Sequence, residues 1–179
     1  MIPYIGDISK MDAVILRKLA CEATSILEFG PGASTQVMAA YSTCPMRTVE
    51  TDPTWIERTK QRMANLQLRE IKYGTYQEFL QLPGNGYDLI FDDGVDRLRR
   101  EFAFKAWPLL KVGGKLAFHD TRRSQDVDNI VAFLKQFSPS IRTIEVNKDE
   151  SNITIFEKRL DIFFQDWNME EGREPCQIR

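Results

Sequence analysis

Histidine occurs once in this chain and cysteine three times, and neither acidic nor basic residues are in clear excess. Each scarcity removes a class of protein. Cys21, Cys44 and Cys176 are odd in number and far apart, so they suggest neither a metal spacing nor a disulfide framework, and a reducing cytoplasm is the expected setting. Lys and Arg number 24 against 26 Asp and Glu, a net charge of −2, and the basic residues are dispersed rather than gathered into the stripe that nucleic acid requires. No apolar run approaches the ~20 residues that span a bilayer. Residues 1–10 lack the basic and apolar regions of a signal peptide. With no internal repeat, linker or low-complexity segment, the 179 residues are expected to form one soluble domain around one core.

What is present is concentrated in residues 24–52. They read as an apolar strand, a glycine turn, a helix, and a second strand ending in an acid. Gly30 and Gly32 remove side chains where the backbone turns sharply or approaches a ligand. Glu50 lies 18 residues past Gly32. That is close to the roughly 20-residue separation at which a βαβ unit brings a carboxylate to a nucleotide ribose. A dinucleotide fits poorly. The turn is Gly-x-Gly followed by Ser34 and Thr35, without the third glycine of the pyrophosphate fingerprint, and the first strand ends in Glu28, which would repel a phosphate. A cofactor with a sulfonium and an α-ammonium, S-adenosylmethionine, suits an acid at that place.

At these residues the chain resembles the class I S-adenosylmethionine-dependent methyltransferases. Ile26-Leu27-Glu28-Phe29-Gly30-Pro31-Gly32-Ala33-Ser34-Thr35 is similar to their first motif, and Val49-Glu50-Thr51-Asp52-Pro53 to their second. The likeness continues through Tyr87–Gly94 and Leu109–Asp120 and covers about residues 8–158. The subgroup it resembles is that of small O-methyltransferases related to the catechol type. The resemblance implies a doubly wound, Rossmann-like α/β fold with a seven-stranded sheet, mostly parallel.

The pattern of elements agrees. Ser9 can cap a helix to about Ala20; strands are expected at 26–29, 47–51, 69–73, 87–92 and 115–119. Helices are expected at 34–42, from Pro53 to about Leu66, at 75–81, 97–110 and 126–137, with a turn at Pro83–Gly86. Ile141–Val146 and Asn152–Glu157 are β-rich and joined only by residues 147–151. So short a loop cannot carry a helical crossover, so these strands must be antiparallel. Such an ending matches the methyltransferase version of the fold rather than a nicotinamide-binding domain. In the tail 160–179, Ile162, Phe163, Phe164 and Trp167 could pack as a short helix.

Ligands of open α/β sheets bind beyond the carboxyl ends of the strands. That rule gathers Glu28, Gly30, Glu50, Asp92, Asp93, His119 and Asp120 at one rim. Glu28, Gly30, Gly32, Glu50, Thr51, Thr75 and Asp92 form the candidate cofactor-binding set, with Glu50 on the ribose hydroxyls. Thr75 stands near where the family often has an acid for the adenine amino group. Asp93, His119 and Asp120 form the candidate catalytic set, His119 as a base of near-neutral pKa or as a structural imidazole. The resemblance also implies a divalent cation, Mg²⁺, at Asp93 and Asp120, with Thr121 in place of the family's asparagine. Arg97, Arg99, Arg100, Arg122 and Arg123 read either as solvated faces or as a receptor for an anionic substrate, and Trp55, Trp107 and Phe104 as packing. The expected partner is a small hydroxylated metabolite or a saccharide, with no membrane and with a homo-oligomer as an option. The competing expectation is a degenerate domain that binds S-adenosylmethionine or S-adenosylhomocysteine without turnover.

Overall fold

The computed structural model describes residues 8–160, apart from 67, 69, 84, 85, 148 and 149. The expected helix around Ile162–Trp167, and part of the turn at 83–86, lie outside the described residues.

The chain begins with α1 (Lys10–Glu22) and β1 (Ile26–Phe29), followed by α2 (Ala33–Tyr41), β2 (Met46–Glu50) and α3 (Pro53–Asn65). Then come β3 (Lys72–Thr75), the single turn α4 (Tyr76–Phe79), β4 (Tyr87–Asp92), α5 (Asp96–Ala106), β5 (Leu110–Phe118) and α6 (Ser124–Phe137). β6 (Ile141–Val146) and β7 (Thr154–Lys158) close the described chain. The seven strands form one sheet in the order β3-β2-β1-β4-β5-β7-β6. β3, β2, β1, β4 and β5 are parallel, and β7 is antiparallel to both β5 and β6. The chain runs outward from β1 in one direction and from β4 in the other. Their shared boundary is therefore the switch point at which such sheets open a crevice.

Strand alternation sends successive side chains to opposite faces, and each face has its own core. Leu16, Leu19, Ile26, Met38, Leu89 and Phe91 pack on the α1–α2 side. Leu27, Phe29, Ile90, Phe102, Phe118 and Phe133 pack on the α5–α6 side. Stacking of Phe29 on Phe102, with centroids 4.8 Å apart, ties the end of β1 to α5. The N-terminus of α1 is closed by a capping box: Ser9 Oγ accepts from the Asp12 amide at 3.0 Å, and Asp12 Oδ2 accepts from the Ser9 amide at 3.4 Å.

Three boundaries differ from the sequence expectation by more than two residues. β3 is described over Lys72–Thr75 against the expected 69–73, and this half-exposed edge strand carries little apolar patterning. α5 ends at Ala106, where Pro108 turns the chain through a short 3₁₀ segment over Trp107–Leu109. β5 starts at Leu110 and runs through Gly113 and Gly114. Gly113 has a φ of +80°, and the pairing with β4 shifts register between Tyr87 and Leu89.

Candidate active site at the carboxyl rim

Backbone hydrogen bonds knit the ends of four neighbouring strands into one surface. The Gly30 amide donates to the Val49 carbonyl (3.0 Å), that of Asp93 to Phe29 (2.9 Å), and that of His119 to Asp92 (3.1 Å). Gly30 has a φ of +87°, and a Cβ there would lie 2.3 Å from the Asp93 carbonyl oxygen. A side chain at Gly30 is therefore forbidden by the neighbouring strand end as well as by any ligand.

Glu28 does not face the cleft. Strand alternation turns it under the glycine turn, fully buried, where its carboxylate accepts from Ser34 Oγ and Thr35 Oγ1, each at 2.6 Å. Thr35 Oγ1 in turn accepts from the Gly32 amide at 2.7 Å. Glu28 thus shapes the turn through two hydroxyls rather than meeting a ligand. Burial, opposed by those hydroxyls, pushes its carboxyl up to about 7.

Above the turn lies a cleft of about 400 Å³ whose walls include Gly30, Gly32, Glu50, Thr51, Trp55 and Asp93. Glu50 Oε1 accepts from the amide and hydroxyl of Thr51, the latter at 2.8 Å, and from the Asp52 amide at 3.1 Å. These local bonds fix the side chain and leave Oε2 without a partner among the described residues. Asp52 caps α3 by accepting from the Thr54 amide at 2.8 Å. The Trp55 indole N–H donates to the Pro31 carbonyl and so joins α3 to the glycine turn. Trp55 was expected to be packing; it is a half-buried wall of the cleft. Its place three residues after Asp52, on the first turn of α3, is the signal that could have located it. Thr75 is absent from these walls. Its hydroxyl caps α4, accepting from the Glu78 amide at 3.2 Å.

The β4–β5 side of the rim holds a network of charges. His119 is 4% exposed, with Nδ1 3.0 Å from Asp93 Oδ1 and Nε2 3.5 Å from Asp12 Oδ2. Burial opposes a charge on the ring, but Asp12 and Asp93 outweigh it and push the imidazole up to about 10. Burial likewise opposes a charge on Asp12, yet His119 and the Asn152 amide hold its carboxyl well below the usual range. Flanked by two carboxylates, His119 is favoured in its charged form, which does not suit the role of a neutral base.

Arg99 Nη2 donates to Asp93 Oδ1 at 2.9 Å and to Asp120 Oδ2 at 3.3 Å. Arg123 reaches Asp96, Asp120 and Asp126 at 2.9, 3.2 and 2.7 Å. These two arginines thus serve the chain's own acids rather than an outside anion. Asp120 has a φ of +57°, a left-handed conformation that Asp tolerates better than most residues. Asp92 is fully buried on the α5 side with no hydrogen-bond partner among the described residues, and burial holds its carboxyl well above the usual range despite Arg99. Of Asp92, Asp93, His119 and Asp120, only Asp93 lines the cleft. Its Oδ2 has no partner among the described residues.

The expected Mg²⁺ set fits poorly. Thr121, in the third position, is buried and turned toward β7: its hydroxyl bonds Asn147 and lies 3.1 Å from the Asn152 carbonyl. The two carboxylates already share a guanidinium. Its positive charge would repel a divalent ion placed beside it and so offset part of the attraction of the two carboxylates. Of the residues that set this arrangement, Arg99 was expected as a solvated face or an anion receptor rather than as a partner of these acids, and Asp12 was missed by sequence reading.

No family model and no curated protein sequence matches the chain. Solved structures do. A Staphylococcus aureus protein provisionally assigned as a caffeoyl-CoA O-methyltransferase aligns with a TM-score of 0.71 at 21% identity, covering 86% of each chain. An O-methyltransferase from Bacillus cereus, solved with SAH, aligns at 0.69 and 18% identity over 85% of this chain and 83% of that one. The O-methyltransferase TomG of Streptomyces achromogenes, involved in tomaymycin synthesis and solved with SAM, aligns at 0.68 and 19% over 86% and 82%. The fold expected from the sequence, a Rossmann-like sheet ending in an antiparallel pair, is thus the one these proteins share.

Proposed function

We propose that this chain is an S-adenosylmethionine-dependent methyltransferase acting on the oxygen of a small hydroxylated metabolite or saccharide. The observation that carries the reading is the cleft at the β1–β4 switch point, where Glu50 is fixed by three bonds through one oxygen and presents the other. A carboxylate held in this way can accept from the vicinal hydroxyls of a ribose. The likeness to structures solved with SAM and SAH supports the same cofactor.

Bound S-adenosylmethionine would supply an electrophilic methyl group on a cationic sulfur. The acids Glu50, Asp52 and Asp93 around the cleft favour that positive charge, and the Trp55 indole offers an apolar wall. Asp93 Oδ2 is the group placed to take the proton of the acceptor hydroxyl as its oxygen gains the methyl. The remainder of the rate comes from alignment of the two reactants, a contribution worth up to ~7–11 kcal/mol. His119 and Arg99 act behind Asp93 by holding its other oxygen, and Asp120 in turn pairs with both of them.

One observation favours a second reading, a domain that binds the cofactor without turnover: two members of the expected catalytic set, His119 and Asp120, do not line the cleft and are engaged in ion pairs behind it. Thermal shift and calorimetry with S-adenosylhomocysteine and with NAD test the cofactor assignment. Stabilisation by the former alone is expected; stabilisation by NAD alone would replace this reading with a nicotinamide site. Asp93→Asn, assayed once an acceptor is found, separates turnover from binding.

A further inference from the structure

Asp93, His119 and Asp120 offer ligand atoms within 4.8 Å of one another, a spacing that a metal ion could bridge. The centre of that group already has a cation beside it. Arg99 enters from α5, and its Nη2 bridges Asp93 Oδ1 and Asp120 Oδ2. Its remaining nitrogens are also held: Nε donates to the Gly94 carbonyl at 2.7 Å, and Nη1 to the His119 carbonyl at 3.3 Å and Asp126 Oδ1 at 3.5 Å. With its side chain only 7% exposed, the guanidinium cannot leave without abandoning four partners besides Asp93.

We infer that Arg99 stands in for a divalent cation, so that the rim of this protein carries a permanent, covalently attached positive charge and binds no metal at Asp93 and Asp120. Arginine suits the place because it keeps its proton throughout the accessible pH range and its planar fork meets two carboxylates at once. A hard cation would instead require oxygen ligands free to close around it. Here one oxygen of each carboxylate is bonded to Arg99, and the Thr121 hydroxyl is directed into the β6–β7 connection. The structural claim is independent of the methyl-transfer reading. Only its consequence, that turnover needs no divalent ion, rests on it.

The test is a titration of metal-free protein with Mn²⁺, read by calorimetry and by thermal shift, for wild type, Arg99→Met and Arg99→Lys. Wild type and Arg99→Lys are expected to show neither heat nor shift. Arg99→Met is expected to gain Mn²⁺ affinity on the order of 30-fold or more, because Asp93 and Asp120 lose the cation that bridges them from α5, with His119 and Arg123 left beside them. An Arg99→Met protein that folds only with Mn²⁺ present supports the inference equally. Wild type binding one Mn²⁺ per chain, lost in Asp93→Asn, overturns it, as does a folded Arg99→Met blind to Mn²⁺. Binding of S-adenosylhomocysteine is measured on the same wild-type preparation. Its absence, with Mn²⁺ also unbound, would remove the methyl-transfer reading and leave the role of Arg99 standing.

Discussion

At the end of β2, Glu50 keeps one carboxylate oxygen without a partner among the described residues, over an open cleft, whereas beyond β4 and β5 Asp93 and Asp120 are tied to Arg99 and His119. Both regions place acids at the carboxyl rim of the same sheet. In the second, however, the Asp93 carboxylate shares one oxygen with internal cations and only its Oδ2 is left for a ligand, while Asp120 does not line the cleft. The difference lies in what faces each strand end. Among the described residues Glu50 bonds to its own following turn, while α1 brings Asp12 and α5 brings Arg99 against the β5 end. A carboxylate at a strand end is therefore informative about ligands only after its internal partners are known.

The comparison breaks most sharply at Arg99. Its replacement by Met removes the cation that pairs with Asp93, Asp120 and Asp126 together, leaving them to His119 and Arg123, and a loss of about 3–5 kcal/mol in urea unfolding is expected. The same experiment on Arg123→Met, on the exposed side of the network, is expected to cost far less.

Glu28 gives the next effect, through pH. Its folded value of about 7 lies above the ordinary 4.5, so the stability it contributes is complete below pH 4.5 and lost as pH rises through 7. Over that window wild type should lose about 3 kcal/mol relative to Glu28→Gln. Denaturant melts at pH 5 and pH 8 check this. Parallel behaviour of the two proteins would mean that Glu28 is not buried under the turn.

On the open side, Glu50→Ala should weaken S-adenosylhomocysteine by about 1.5–3 kcal/mol, roughly 10- to 150-fold, with little change in melting temperature. The smallest effect belongs to Thr75→Ala, which removes a helix cap and should cost ~1 kcal/mol of stability while leaving cofactor affinity intact. Lost affinity there would restore Thr75 to the cofactor site.

The parts of the rim built from contiguous chain were legible in the sequence. The glycine turn, Glu50 and the closing antiparallel pair follow from local spacing and from a loop too short for a crossover. Strand alternation could also have turned Glu28 inward, since Leu27 and Phe29 share the opposite face. The charge network was not legible, because Asp12 and His119 are 107 positions apart and Arg99 lay within a run of arginines that reads as a solvated face. Its partners are fixed by how α1 and α5 dock, which no local pattern encodes. β3 and the start of β5 were misplaced for a simpler reason: an exposed edge and a glycine pair weaken the two-residue period.

The most direct measurement is a calorimetric titration of wild-type protein with S-adenosylhomocysteine in EDTA, repeated in Mg²⁺. Micromolar binding at one per chain, equal in both buffers, is expected if the open half of the rim holds the cofactor and the closed half already has its cation. No binding in either buffer would contradict the cofactor site, and binding that appears only with Mg²⁺ would contradict the closed half.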